Sequence, residues 1–361
     1  MTENDILGFN PNDLAIFNQE EKTSKFENSK IYKTKPENSI SDDHVYRATI
    51  KLVLNPFDFK NSILEQQMYT LKDAEGYFNV ISSLTADDTS CPIFTAWKKC
   101  RYADKSSALY LQQAKEDEGG KELFKKRYSR YVTVQIIEDK NQPDLEGQFM
   151  LWKLPKSVWD IVNAKMHPSA ESGKPAIPVM DFLYGRSLDI EVTPGPGKPG
   201  DERYSRETKY FAELSEDVVC CVNPDGSPLL NDEEQEVLDT YVAAKKKIWR
   251  TKDPDTRQKM EEELMGEENT KKLADIYRRV LEQIKEVCPN VYEELGYKEW
   301  SEKTKARVQN WINIVLAGGN PSEMVPATTP TNPVTTATEN VVNTPSVSES
   351  TSTDEEDDLP F

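Results

Sequence analysis

Residues 121–137 read KELFKKRYSRYVTVQII, and the N-terminal half of the chain is best interpreted outward from this stretch. Its first part holds the densest group of cations in the sequence, with tyrosines between them. From Tyr131 to Ile137 polar and β-branched residues alternate, which predicts a β-strand. Proteins that bind single-stranded nucleic acids combine cations that track phosphates with rings that stack on unpaired bases. An exposed basic loop beside ordinary core aromatics is the plainer alternative, because such mixtures are common on protein surfaces.

Other strand-like runs lie on both sides of this stretch. They are short, rich in alternating or β-branched residues, and separated by turn sequences such as Asn55-Pro56. The runs are Ala48–Leu54, Tyr77–Ile81, Gln148–Leu154 and Ser187–Val192, and a short helix is predicted at Lys156–Lys165. About five short strands joined by long loops predict a small β-barrel rather than a parallel α/β sheet.

Beyond Pro228 apolar residues recur every three or four positions, which predicts helices. These helices are Glu233–Arg250, Thr256–Leu264, Thr270–Val287 and Ser301–Leu316. From Gly318 the composition changes to Thr, Pro, Asn, Ser and Val, which cannot bury a core. We therefore predict a mainly β domain, an α-helical domain and a disordered acidic tail. The predicted segments are a polar arm (1–43), the β domain (44–228), the helical domain (229–317), a disordered linker (318–353) and an acidic tip (354–361).

The formal net charge of -18 argues at first against a nucleic-acid-binding protein, but the charge is unevenly distributed. Residues 44–214 contain 24 Lys and Arg against 24 Asp and Glu, so this segment is neutral. Residues 322–361 contain eight acids and no Lys or Arg. A neutral domain can still carry a concentrated basic face, so the overall acidity does not exclude DNA binding.

Residues 125–162 resemble the single-stranded-DNA-binding proteins of T-even bacteriophages. The basic triplet, the strand, Pro143, the Glu146-Gly147 turn, a second strand and a helix containing Trp159-Asp160 occur in the same order. Upstream, the run from Tyr77 to Cys91-Pro92 is similar to the family's zinc loop. Downstream, its last barrel strand and the loop beyond are matched by Gly185, Leu188, Ile190 and Val192, followed by Tyr204 and Lys209. The resemblance covers about residues 46–215.

The resemblance implies an oligonucleotide-binding (OB-fold) barrel and a DNA-binding cleft. Lys125, Lys126 and Arg127 stand where the family has a basic triplet lining its cleft. Tyr131 replaces a cleft Trp, and Arg130 replaces a Tyr, where its planar guanidinium can still stack on a base. The candidate DNA-binding residues, including further basic–aromatic neighbours, are Lys125, Lys126, Arg127, Tyr128, Arg130, Tyr131, Arg101, Tyr102, Tyr110, Lys153, Arg203, Tyr204, Lys209 and Tyr210.

The sequence departs from the family at its zinc site. The family holds zinc with three Cys and one His, but here Cys91 is kept while Phe94, Ile81 and Met68 stand at the other three positions. One thiolate cannot build a tetrahedral site, so we predict no bound metal and a small hydrophobic cluster in its place. Cys100 could in principle join a shifted site, although the chain has only two histidines.

Protein partners are predicted at the acidic tip. Asp357-Asp358-Leu359-Pro360-Phe361 resembles the C-terminal tip of bacterial single-stranded-DNA-binding proteins, which implies recruitment of replication and repair proteins. A Phe ring can enter an apolar pocket rimmed by Arg or Lys while the acids steer the approach. An inert solubilising tail is the alternative. Residues 1–20 lack the basic segment through which the family makes neighbour contacts, which leaves self-association along DNA open.

No catalytic constellation or cofactor motif stands out in the sequence. Pro194-Gly195-Pro196-Gly197 is too rich in proline to cradle phosphates, and the two histidines offer few general bases. No apolar run is long enough for a membrane span, the start does not resemble a signal peptide, and five cysteines lack disulfide spacing. We therefore expect a non-enzymatic, cytoplasmic protein (in the host cell if phage-encoded) that binds single-stranded DNA in replication, recombination and repair. The alternative is a scaffold or assembly protein whose helical domain docks partners.

Overall fold

The computed structural model describes residues 30–323 apart from 87–89, 170–175, 202, 205–206, 252 and 265. In this part of the chain eight strands form one mixed sheet, and the longer helices follow it. The strands are β1 (Ile31–Tyr32), β2 (Tyr46–Val53), β3 (Ile63–Asp73), β4 (Gly76–Ile81), β5 (Lys125–Glu138), β6 (Phe149–Leu154), β7 (Arg186–Thr193) and β8 (Lys209–Val218). The helices are α1 (Pro92–Arg101), α2 (Ala108–Leu111), α3 (Lys156–Met166), α4 (Asp232–Arg250), α5 (Pro254–Leu264), α6 (Glu267–Val287), α7 (Val291–Leu295) and α8 (Glu302–Leu316).

Strand β5 organises the sheet because it pairs with three neighbours. The order is β1-β6-β5-β2-β7-β8, with β3 paired to both β5 and β4. Residues 125–132 of β5 pair with β3, and residues 133–138 pair with β2. Residues 130–135, in the middle of the strand, pair with β6. Only β1 and β6 are parallel among the described strands. A mainly β region followed by helices is thus confirmed, and the OB-fold barrel stays a prediction.

The main core lies against one face of the second half of β5. Val132, Val134 and Ile136 alternate along the strand and are fully buried, together with Ile50 and Leu52 of β2. Alternation places every second side chain on the same face of a strand, so the period of this segment decides which residues are buried. Helix α3 covers this core with Val158 and Val162.

The helices after residue 228 pack on the sheet. Val280 and Ile284 of α6 share a core with Val53 and Phe182, and α7 places Val291 against Leu64 and Leu151. Helix α8 contributes Val308, Trp311, Ile312 and Val315 to a third core, which also holds residues of β3, β4 and α1. Each of these described cores therefore joins helix residues to sheet or loop residues from before residue 228. The predicted division at residues 228 and 229 does not separate two hydrophobic cores.

Most elements predicted from sequence are present, and one predicted boundary is wrong. Four strands and helix α3 begin and end within two residues of their predicted positions, and the four long helices within three. Strand β5 begins at Lys125 rather than at Tyr131, so the basic segment lies inside a strand. The elements β1, β3, β8, α1, α2 and α7 were not predicted from the sequence. None of the helices in the described residues is long and apolar enough to cross a membrane.

Candidate nucleic-acid interface

The basic segment at the start of β5 divides its side chains between two faces of the sheet. Successive residues of a strand point to opposite sides, so Lys126 and Tyr128 lie on one face and Lys125 and Arg127 on the other. All four are exposed. Residues 125–129 pair with β3 on one side, and no strand of the described chain pairs with them on the other. The cations therefore follow a sheet edge, where a ligand can reach both faces.

Helix α1 packs beside this edge because it is amphipathic. Pro92 fits the first turn, where its missing N–H is not needed. Ile93, Ala96 and Cys100 are buried in the core that also contains Tyr69 of β3. The opposite face of the helix is left in contact with solvent and with the start of β5.

Two rings and two cations lie on the outer face of α1, and one of the rings, Trp97, adjoins Lys126 of β5. Phe94, Trp97, Lys98 and Arg101 follow the three- and four-residue spacing that places side chains on one side of a helix. The Phe94 and Trp97 rings are stacked, with centroids 5.6 Å apart and planes 14° from parallel. We call the set the α1–β5 surface, and it comprises Phe94, Trp97, Lys98, Arg101, Lys126 and Tyr128.

Cations on the α1–β5 surface lie over aromatic rings. The Lys126 Nζ is 5.1 Å from the centroid of the Trp97 ring and 5.4 Å from that of Tyr128. The Lys98 Nζ is 4.5 Å from the centroid of Phe94. Tyr128 is 63% exposed, so most of its ring is open to solvent. Phosphate-binding charges and stacking surfaces are thus interleaved over adjacent residues, as single-strand binding requires.

On the opposite face of the sheet, Arg127 of β5 and Lys153 of β6 form a second pair of cations beside the partly covered ring of Tyr131. Lys153 of β6 stands opposite Tyr131 in register. Burial, and to a smaller extent the charge of Arg127, lowers the pKa of Lys153. Tyr131 is half-buried and packs on the cluster formed by Leu64, Leu151 and Val291. Arg127 and Lys153 are suited to hold a phosphate, whereas the Tyr131 ring is largely committed to packing.

Other predicted DNA-binding residues lie at the margin of this region. Tyr102 is 81% exposed at the C-terminal end of α1, next to Arg101. Tyr110 is half-buried in the short helix α2. Arg130 makes an ion pair with Glu65, its Nε lying 2.7 Å from the carboxylate Oε1, so part of its charge is already balanced.

The residues predicted around the start of β8 are in a different environment. Arg203 is exposed and pairs with Glu207 at 2.7 Å. Tyr204 is only 2% exposed, so its ring has no face to offer a base. Tyr210 is half-buried against the main core and donates a hydrogen bond of 3.3 Å from its hydroxyl to the Thr34 carbonyl. Lys209 is exposed. The tip residues Asp357, Asp358, Leu359, Pro360 and Phe361 lie outside the described residues.

The residues at the family's zinc-ligand positions are separated by the sheet. Met68 and Ile81 are paired in register on β3 and β4 and are half-buried. Cys91 is fully buried beside the apolar residues of the third core, and Phe94 packs on its edge. Among the described residues, no group of three or more His, Cys, Asp or Glu side chains could hold a metal ion.

Of the residues that α1 contributes to the interface, the sequence predicted Arg101 but not Phe94, Trp97 or Lys98. Phe94 stands at one of the family's zinc-ligand positions, and its role beside Trp97 and Lys98 depends on the helix that carries all three. The same basic–aromatic adjacency that singled out Arg101-Tyr102 is present in Trp97-Lys98-Lys99. What the sequence did not reveal is that this helix lies beside the start of β5.

The comparisons with known proteins match the region that contains this surface. Residues 67–223 match a family model described as gp32 DNA binding protein like. The single-stranded DNA-binding proteins of Enterobacteria phages T4 and T2 are each 28% identical to the chain over 121 residues. That stretch is 34% of this chain and 36% of each relative, so the chain matches about a third of their length. The resemblance to the single-stranded-DNA-binding proteins of T-even phages is confirmed, and residues 67–223 are the part of the chain that is similar to the gp32-like DNA-binding proteins.

Proposed function

We propose that this protein binds single-stranded DNA without strong sequence preference and does no chemistry on it. The observation that carries the proposal is the α1–β5 surface, where Lys126 lies over the rings of Trp97 and Tyr128 at a sheet edge. The family match supports the same ligand class. Base stacking is tolerant of sequence because every base has a flat face, and cations follow the phosphates whatever the base.

We expect this surface to favour single strands over duplex. Stacking on Tyr128 requires a base that is free of its neighbour, which an intact duplex does not present. A stacked base contributes about 1–3 kcal/mol, so this contact alone would favour the single strand about 5- to 150-fold. Arg127 and Lys153, on the other face of β5, can hold the backbone as it crosses the sheet edge.

The wider role that we propose is phage-type DNA replication, recombination and repair in the host cytoplasm, on an OB-fold barrel. The acidic tip would recruit the other proteins, because Asp357-Asp358-Leu359-Pro360-Phe361 combines acids with two apolar side chains. The alternative of a scaffold with a docking helical domain is less well supported. The apolar faces of α6 and α8 pack on cores that also contain residues from before residue 228.

A salt titration with the full chain tests the proposal. Affinity for a fluorescent single-stranded oligonucleotide and for its duplex is measured at several salt concentrations, for the wild type and for Lys126→Glu. We expect weaker binding of the duplex. We also expect the log–log salt slope of the variant to be smaller by about 0.7 for each phosphate that it no longer neutralises.

The matched control is Lys140→Glu, which makes the same change of charge at an exposed position beyond the other end of β5. It should bind almost as the wild type does. If Lys126→Glu and Lys140→Glu reduce affinity equally, the effect is one of overall charge and the α1–β5 surface is not the interface. Equal affinity for single strand and duplex would overturn the proposed function itself.

A further inference from the structure

Strand β3 carries the basic segment of β5, so whatever holds β3 also sets the position of the α1–β5 surface. Residues 125–129 of β5 pair with β3 and with no other strand in the described part of the chain. Strand β3 pairs in turn with β4, which lies at the end of this branch of the sheet. Lys126 and Tyr128 therefore depend for their position on the contacts that β3 and β4 make with other elements.

Residues 291–316, which contain α7 and α8, contact β3 on both of its faces. Side chains alternate along a strand, so Leu64 lies on one face of β3 and Tyr69 and Leu71 lie on the other. Helix α7 places Val291 against Leu64, whereas α8 shares the third core with Tyr69 and Leu71. We call residues 291–316 the α7–α8 clamp, because β3 lies between its two helices.

Two indole groups of the α7–α8 clamp bind the main chain of the β3–β4 hairpin. The Trp311 Nε1 donates a hydrogen bond of 3.0 Å to the Lys72 carbonyl of β3. The Trp300 Nε1 donates one of 2.9 Å to the Ile81 carbonyl of β4. Hydrogen bonds depend on angle as well as distance, so these contacts restrain the orientation of the hairpin and do not merely cover it.

Helix α8 also joins α1 to the start of β5. Ile93 and Ala96 of α1 are buried in the third core, to which α8 contributes four side chains. Phe124, directly before Lys125, is 7% exposed, and its ring meets that of Trp311 edge-on, with centroids 5.2 Å apart and planes at 90°. The helix and the strand that form the α1–β5 surface are thus both attached to α8.

We propose that the α7–α8 clamp, and Trp311 in particular, positions the α1–β5 surface for single-stranded DNA. The inference rests on the proposed function and gives the helical region a part in it, although Trp311 does not itself contact DNA. Lys126 lies over Trp97 of α1 and over Tyr128 of its own strand, so the site requires a fixed spacing between α1 and β5. A site that is ordered before binding loses less conformational entropy when the ligand arrives. The residues that match the family model end at 223, so the match does not imply this role.

Two substitutions of the same kind in the full chain test the proposal. Val315 of α8 and Val280 of α6 are both fully buried, Val315 in the third core and Val280 in the core shared with Val53 and Phe182. Changing either to alanine removes the same two methyl groups and leaves a cavity, so both variants lose stability. Only Val315→Ala should weaken binding of a fluorescent single-stranded oligonucleotide, by about fivefold or more, which corresponds to about 1 kcal/mol. Val280→Ala should bind almost as the wild type does.

Hydrogen exchange without DNA shows directly whether the clamp holds the sheet edge. The amides of residues 125–129 that pair with β3 should exchange about tenfold faster in Val315→Ala than in Val280→Ala, because local opening of this edge becomes easier. Trp311→Phe is the milder variant, since it keeps a ring beside Phe124 but loses the donor to the Lys72 carbonyl. It should change affinity and exchange in the same direction, and it replaces Val315→Ala if that variant does not fold.

The outcomes separate the role of the clamp from the proposed function. Chemical denaturation of each variant gives its free energy of unfolding, and affinities are compared where both variants are folded. Equal affinities of Val315→Ala and Val280→Ala, or equal exchange at residues 125–129, would overturn the role of the α7–α8 clamp and leave the proposed function intact. A wild type that does not bind the single-stranded oligonucleotide would overturn the proposed function, and the positioning role with it.

Discussion

Two tyrosines three residues apart on β5 allow the interface to be tested with matched substitutions. Tyr128 is 63% exposed, on the face that carries Lys126, whereas Tyr131 is half-buried on the opposite face against Leu64, Leu151 and Val291. Both residues are tyrosines on the same strand, so changing each to alanine removes the same atoms. We expect Tyr128→Ala to weaken DNA binding and Tyr131→Ala to destabilise the fold.

The expected magnitudes follow from the two environments. Loss of one stacked base costs about 1–3 kcal/mol, so Tyr128→Ala should weaken binding about 5- to 150-fold. Truncating a fully buried aromatic residue costs about 3–5 kcal/mol of stability, and roughly half of that applies to the half-buried Tyr131. Tyr131→Ala should therefore lower the free energy of unfolding by about 1.5–2.5 kcal/mol, and Tyr128→Ala by less than about 0.5 kcal/mol.

Fluorescence titration with a single-stranded oligonucleotide and chemical denaturation measure the two quantities separately. Tyr128→Phe serves as the control, because it keeps the ring face and should bind almost as the wild type does. The reasoning is refuted if Tyr131→Ala weakens binding more than Tyr128→Ala while leaving the free energy of unfolding unchanged. That result would return the stacking role to Tyr131, as the family resemblance implied.

Three further predictions concern metal, pH and the tip. Metal analysis of the folded protein should find no stoichiometric zinc, and chelators should not unfold it; one zinc per chain would contradict this. The Arg307 guanidinium, 2.6 and 2.7 Å from the Asp73 carboxylate, lowers the pKa of Asp73. The stability this pair adds is present above the unfolded pKa of about 4 and is lost as the pH falls further, so Arg307→Gln should cost about 1–3 kcal/mol at pH 7 and less at pH 2. Denaturation at both pH values checks this, and an equal loss at the two would exclude the ion pair as the cause. Deleting Phe361 should abolish capture of protein partners in pull-downs with DNA affinity nearly unchanged; retention of the same partners would argue against recruitment by the tip.

Some strands escaped prediction because their local pattern is weak. Strand β3 reads ILEQQMYTLKD, and its buried side chains are interrupted by the half-buried Gln67 and Met68, so strict alternation fails. Strand β8 has no fully buried residue and carries three acids, so its sequence resembles a loop when its pairing partner is unknown. Strand β1 has only two residues and exists because it pairs with β6. These strands depend on pairing partners that are distant in sequence.

The sequence by itself determined the kinds of side chain available and the local periods, because both are properties of neighbouring residues. It therefore predicted the strand at Tyr131–Ile137, the four long helices, and the basic–aromatic character that the family match supports. Only the tertiary structure decided which side chains share a surface. Trp97 and Lys126 meet because α1 packs against β3 and β5 pairs with β3, and Tyr131 is covered because α7 returns to the sheet. Such contacts depend on long-range packing, which no short window of sequence contains.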